Sequence, residues 1–251
     1  MSSSDCGATH RGPKPKVLFM DLLQCRYSPV QMTRYFKLAL STFLCLFSLM
    51  TEVTAAGHSA SPADPNAALT KLKEGNARFA SSTTSAGKPV AAKRAETADG
   101  QHPFAVVLGC ADSRTSPEII FDQTIGDLFV VRTAGNLVDD HALGSIEYAV
   151  EHLGTRLIVV LGHTKCGAVT AAMGSETAPG HVGSLVRDIQ PAVKATKGKS
   201  GDATTLAVAE NARLMAEKIR HDAELGDLAK EVRIISAVYN LDTGKVEWAS
   251  E

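Results

Sequence analysis

Two short stretches carry the residue types that do chemistry. Cys110, Asp112 and Arg114 alternate in "CADSR", and His163 and Cys166 stand three apart in "HTKCG". Thiolate and imidazole are the ligands zinc prefers, and three protein ligands with an open fourth position mark a catalytic metal site. Each residue alone reads as core or surface. Together they admit a metal held by Cys110, His163 and Cys166, a disulfide between the two cysteines, or a Cys–His nucleophile pair. The disulfide leaves His163 and the "ADSR" tail without a role. The nucleophile pair needs an orienting group, and a second thiol beside the histidine favours metal over it. Asp112 could then ligate the metal, or accept a hydrogen bond from water at the open position. Arg114 could hold that carboxylate by a bidentate pair and keep it ionised.

Both stretches follow apolar runs. "PFAVVLG" (103–109), "DLFVVR" (127–132), "RLIVVLG" (156–162) and "VRIISAVY" (232–239) lack polar alternation and are rich in Val and Ile. Such runs, separated by helical stretches, predict strands of a parallel sheet covered on both faces. Helices are predicted at 140–153 and 203–221, the second with Leu206, Ala209, Ala212, Met215 and Ile219 on one face. An amphipathic helix over 66–80 is expected to be interrupted at Gly75. Residues 81–102 read as loop with room for a short helix, and "YNLDTGKVEW" reads as a turn and an edge strand. The class is α/β: a mostly parallel central β-sheet flanked by helices, with an N-terminal helical arm. Cys110 and His163 each stand one residue past the Gly ending a strand, where ligands gather in open α/β sheets. Cys166 is placed one turn into the next helix, on the same side as His163.

The first fifth of the chain reads differently. Arg34 and Lys37 precede an uncharged, mostly apolar stretch, Leu38 to Met50, followed by Val53-Thr54-Ala55. Residues 32–56 are expected to be a secretory signal peptide, too short in its apolar part to span a bilayer comfortably. Met32 is then expected to be the authentic start, residues 1–31 a non-native extension, 57–66 a linker and 67–251 the catalytic domain. Export implies a periplasmic protein with no stable membrane anchor after processing. Residues 1–56 hold six of the 26 Lys/Arg, three of the 27 Asp/Glu and three of the five cysteines. What remains carries a net charge near −4, and Cys110 and Cys166 are its only cysteines. The charge balance excludes nucleic acid as a partner. No glycine-rich phosphate loop follows any strand, which excludes a common nucleotide-binding module.

The pair "CADSR" and "HTKCG" resembles the β-class carbonic anhydrase signature. "LKEGNARF" (72–79), "IIFDQTIGDLFVVRTAGN" (119–136), "GSIEYAVEHLG" (144–154) and "AVYNLDTGKV" (237–246) agree with it, so the resemblance covers 66–249. It implies zinc-dependent reversible hydration of carbon dioxide to bicarbonate and a proton. It implies Cys110, Asp112, His163 and Cys166 as the metal set, Asp112 and Arg114 as a catalytic dyad, and Gln123 and the backbone at Gly167 near substrate. The family departs here at Ala111 and Ser236, neither of them a ligand. The resemblance also implies a homodimer or homotetramer, with the 66–80 helix on a neighbour. A three-histidine carbonic anhydrase zinc brings its water to a pKa of about 7. Two thiolates donate more charge, so activity is expected to favour mildly alkaline pH. His102, His141 and His181 are candidates for a proton shuttle. Hydrolysis of carbonyl sulfide or carbon disulfide, and a zinc-stabilised binding domain without catalysis, are the competing readings.

Overall fold

The computed structural model describes residues 64–84 and 90–249. The stretches expected to be an extension (1–31) and a signal peptide (32–56), and most of the expected linker, lie outside these residues. Asp64 opens the described chain. Its carboxylate accepts from the Asn66 and Ala67 amides and caps helix α1 (Pro65–Ala80), with Pro65 at the first turn. The helix therefore starts inside the predicted linker. It also runs unbroken through Gly75, contrary to the expected interruption. A Cβ there would sit 1.9 Å from the Phe121 carbonyl oxygen. Glycine is used for close approach of backbone to backbone, and the neighbouring turns carry the helix across it. A short helix α2 (Val90–Glu96) follows.

The sheet is built from β1 (Ala105–Cys110), β2 (Leu128–Thr133), β3 (Leu157–His163), β4 (Arg233–Tyr239) and β5 (Val246–Trp248), in spatial order β2-β1-β3-β4-β5. All pairings are parallel except β4–β5. Between the strands lie α3 (Pro117–Ile120), α4 (Asp140–Glu151), α5 (Gly167–Gly174), α6 (Val182–Thr196) and α7 (Ala203–Arg220). The fold is the expected helix-flanked, mostly parallel sheet, and each predicted parallel strand is present. The predicted strands end one residue early, because Cys110 and His163 themselves belong to β1 and β3.

Alternate residues of β1 and β3 feed two cores. Val107 and Val159 meet Leu69 and Leu72 of α1 together with Phe121. Val106, Leu108, Ile158 and Val160 meet Ile146 and Val150 of α4 and Ala212 and Ile219 of α7. A third cluster, at the carboxyl ends, joins Cys110 and Cys166 to Leu137, Val169, Ile189 and Val208. The buried stripe of α7 is Ala207, Val208, Asn211, Ala212, Ala216 and Ile219, rotated from the predicted face, and Ala209 is exposed. Helix α6, which has Pro191 inside it and no side-chain cap at His181, is not foreseen by the pattern reading.

Candidate metal centre

β1 and β3 are neighbours, with Gly109 opposite Leu161, so their last residues come out side by side. After His163 the chain turns through Thr164 and Lys165, and Lys165 adopts a left-handed φ of 56°. The Thr164 amide donates to Tyr239 O at 2.9 Å, and its hydroxyl accepts from the Leu241 amide at 3.0 Å. This tight turn returns Cys166 to the site as the residue preceding α5, not one turn inside it as the spacing suggested. The ligand atoms of Cys110, His163 and Cys166 all lie within 4.8 Å of one another, and all three residues are buried.

The donor set fits a metal. His163 Nδ1 donates to Thr164 O at 2.9 Å, which fixes the tautomer with a lone pair on Nε2. That Nε2 is buried without a hydrogen-bond partner, a costly arrangement for a polar atom unless something else binds it. Cys110 and Cys166 are both free, so the disulfide reading is not what the fold adopts. Cys110 is pushed down to about 3, first by the hydrogen bond from Cys166 and further by His163 and by the Asp112 and Gly135 amides, against burial. Cys166 is pushed up by that same hydrogen bond and by burial, against the Val169 and Ala168 amides at the start of α5. The hydrogen bond between the two buried sulfurs is the contact that a cation bound to both would replace.

Asp112 stands beside this triangle. Its Oδ1 accepts from the Arg114 amide at 3.0 Å and from Nε at 2.8 Å, and its Oδ2 accepts from Nη2 at 2.6 Å. The Arg114 hydrogen bonds hold the Asp112 carboxyl well below the usual carboxylate range, against burial and with help from His163. Oδ2 lies 3.8 Å from His163 Nε2. Three of the four residues expected as ligands therefore converge, and the fourth is paired with arginine.

The remaining expected residues fall as follows. Gly167 is the first residue of α5, directly after Cys166. Gln123 is buried, and its amide donates to Phe121 O at 2.6 Å, beside Gly75 of α1. His102, His141 and His181 are exposed. Arg132, which the sequence reading passed over, reaches from β2 to Cys110 O at 2.9 Å through Nε and to Asp112 O at 2.6 Å through Nη2. Thr115 adds hydroxyl bonds to the same two carbonyls, at 3.2 and 2.9 Å. Only the strand register, which sets Arg132 opposite Gly109, could have exposed this role. A cleft of about 540 Å³ lies over the amino half of β4, between Arg213, Arg220 and Arg233, at the opposite end of the strand from the triangle. A polar cleft of about 400 Å³ borders Thr164 and Lys165. Among the described residues no helix is long and apolar enough to cross a membrane.

Residues 105–246 match the family model described as carbonic anhydrase. A carbonic anhydrase of Mycolicibacterium smegmatis is 40% identical over 200 residues, which are 74% of this chain and 94% of that one. Carbonic anhydrase 2 of Mycobacterium tuberculosis is 52% identical over 126 residues, and the chain spans only 61% of that relative's length. A Coccomyxa beta-carbonic anhydrase solved with acetazolamide superposes with a TM-score of 0.57 at 28% identity, covering 73% of this chain and 86% of that one. The beta-carbonic anhydrase CafA of Aspergillus fumigatus gives 0.59 at 24% identity over 74% and 90% of the two chains, a likeness of fold.

Proposed function

The chain belongs to the carbonic anhydrase family, in its β class, and we propose that it catalyses the reversible hydration of carbon dioxide to bicarbonate and a proton, with one zinc per chain. The observation that carries this reading is the buried Cys110–His163–Cys166 triangle with an orphaned Nε2, set against the Asp112–Arg114 pair. A closed structural site would present a fourth cysteine or histidine there instead. Cys110, His163 and Cys166 would hold the zinc, which supplies an acidified water as nucleophile.

The protein's own residues do the rest. The Thr164 carbonyl keeps the His163 lone pair aimed inward. Arg114 occupies both carboxylate oxygens of Asp112 from one side, so the ionised carboxylate accepts from its other side alone. An acceptor that cannot donate fixes which way a water beside it points its hydrogen, and orientation of this kind lowers the barrier. Leu137, Val169 and Ile189 pack in one apolar cluster with Cys110 and Cys166, which keeps water from that side of the sulfurs. The Gly167 amide, directly after Cys166 at the start of α5, would be the backbone donor for the negative charge that develops on the substrate. Gln123 gives one amide hydrogen to the Phe121 carbonyl, and its second amide hydrogen is the one that would serve a substrate.

Stopped-flow hydration of carbon dioxide by protein starting at Gly57, with zinc quantified, tests the proposal. A zinc-loaded protein that leaves carbon dioxide untouched but hydrolyses carbonyl sulfide or carbon disulfide would overturn it. Activity should favour mildly alkaline pH, and a flat profile from about pH 6 to 9 would contradict two-thiolate ligation. We further propose export to the periplasm, from the signal-like residues 32–56 alone, and a homodimer or homotetramer. The latter is supported by β2, a sheet edge, and by Ile119, Ile125 and Tyr148, which are exposed. A monomer by light scattering would remove it.

A further inference from the structure

Helix α7 buries one polar side chain in the middle of its apolar stripe, Asn211, between Val208 and Ala212. Its Nδ2 donates to Gly135 O at 2.8 Å, across 76 positions of chain. The same Gly135 donates its own amide to Cys110 Sγ at 3.3 Å. Gly135 holds a φ of +71°, and a Cβ there would meet Ile189 Cδ1 at 2.9 Å, so the peptide is confined from that side as well. Asn211 Oδ1 is left without a partner, as is Nδ2 of the adjoining buried residue Asn136. An apolar side chain at 211 would avoid a desolvated amide altogether. Helix packing therefore does not account for an asparagine here.

We propose that Asn211 is a positioning residue for the metal site: it holds the Gly135 peptide so that the Gly135 N–H donates to Cys110 Sγ and draws charge from that sulfur. The inference rests on the reading of Cys110, His163 and Cys166 as metal ligands. Two thiolates over-donate to a metal that must still acidify water. An N–H donor aimed at one sulfur offsets part of that donation, and outer contacts of this kind tune metal sites strongly. The Cys166 sulfur is served instead by the Ala168 and Val169 amides of its own helix α5.

The test uses the full folded chain loaded with cadmium-113, which couples magnetically to protons through its ligands. Couplings from cadmium to His163 and to the β-protons of Cys110 and Cys166 establish the metal site. The proposal expects two more in the same sample: from cadmium through Cys110 Sγ to the Gly135 amide proton, and from the Asn211 side-chain nitrogen to the Gly135 carbonyl carbon. If the ligand couplings appear and either of these two is absent, the inference falls and the metal site stands. If no cadmium coupling appears, the ligand reading itself falls and takes the inference with it. In Asn211→Ala the Gly135 coupling should be lost, and chelator-driven metal release should quicken about ten-fold or more. A folded N211A that keeps the coupling and releases metal within about two-fold of the native rate would overturn the proposal. Where N211A does not fold, the native-protein couplings decide.

Discussion

The two arms of the site are built in opposite ways. The β3 arm is local: His163, the Thr164–Lys165 turn and Cys166 occupy four consecutive positions. Their fixing contacts come from the Thr164 carbonyl and the β4–β5 connection. The β1 arm is held from afar. Cys110 and Asp112 have their carbonyls gripped by Arg132, 22 and 20 positions on, and Cys110 Sγ is met by Gly135, 25 positions on. The local arm brings its two ligands together within one turn, and that turn is seated on Tyr239 and Leu241. A distant arm exists only after the sheet has been assembled in register.

Removing a ligand should collapse both arms alike. His163→Ala is expected to lose bound metal and carbon dioxide hydration to background, read by metal analysis and stopped-flow rates. Asp112→Asn comes next. It keeps the side-chain volume but gives up the ionised acceptor, so metal should remain while the rate drops by about 10² or more. A zinc-loaded D112N with native activity would break the account of this arm. Arg132→Ala separates the arms more finely. It should weaken metal affinity or activity about 10- to 100-fold through Cys110 and Asp112 alone. Arg132→Lys should rescue little, because an ammonium lacks the planar fork that spans two carbonyls. Equal loss from Thr164→Val would show that the arms are not distinct.

The smallest effect is one of pH and lies outside both arms. Asp202 accepts from the Thr205 amide at 2.8 Å at the start of α7, and its bonds with Thr205 hold the carboxyl below its ordinary value. A carboxyl depressed on folding stabilises the protein above its unfolded pKa, about 3.9. That contribution is lost as pH falls through the folded value. Asp202→Asn, still a good cap, should therefore flatten the acid limb of thermal stability slightly and leave neutral stability nearly unchanged. Circular dichroism melts between about pH 2 and 7 would check this.

The local arm was legible in the sequence because H-x-x-C is a short-range spacing and the apolar runs before Cys110 and His163 are long enough to read as strands. The distant arm was not. Arg132 looks like the polar end of a strand, Asn211 like a break in a helical stripe, and Gly135 like any turn residue. Their meaning comes from pairing register and helix rotation, which no local pattern encodes. The same limit explains α1: Gly75 suggested a break because its use lies across space, against Phe121. For α6, Pro191 and a helix start without a side-chain cap obscured an otherwise amphipathic segment.

The separation of the ligands along the chain has a consequence for folding. Cys110 and His163 lie 53 positions apart on adjacent strands, so an ion joining them closes a large loop as a covalent cross-link would. Closing a loop of that size in the unfolded ensemble carries an entropic cost of several kcal/mol. The ion that equips the site for chemistry would then also act as a clip on the β1–β3 pairing. Its removal should lower the melting temperature of the whole sheet, including strands that never touch it.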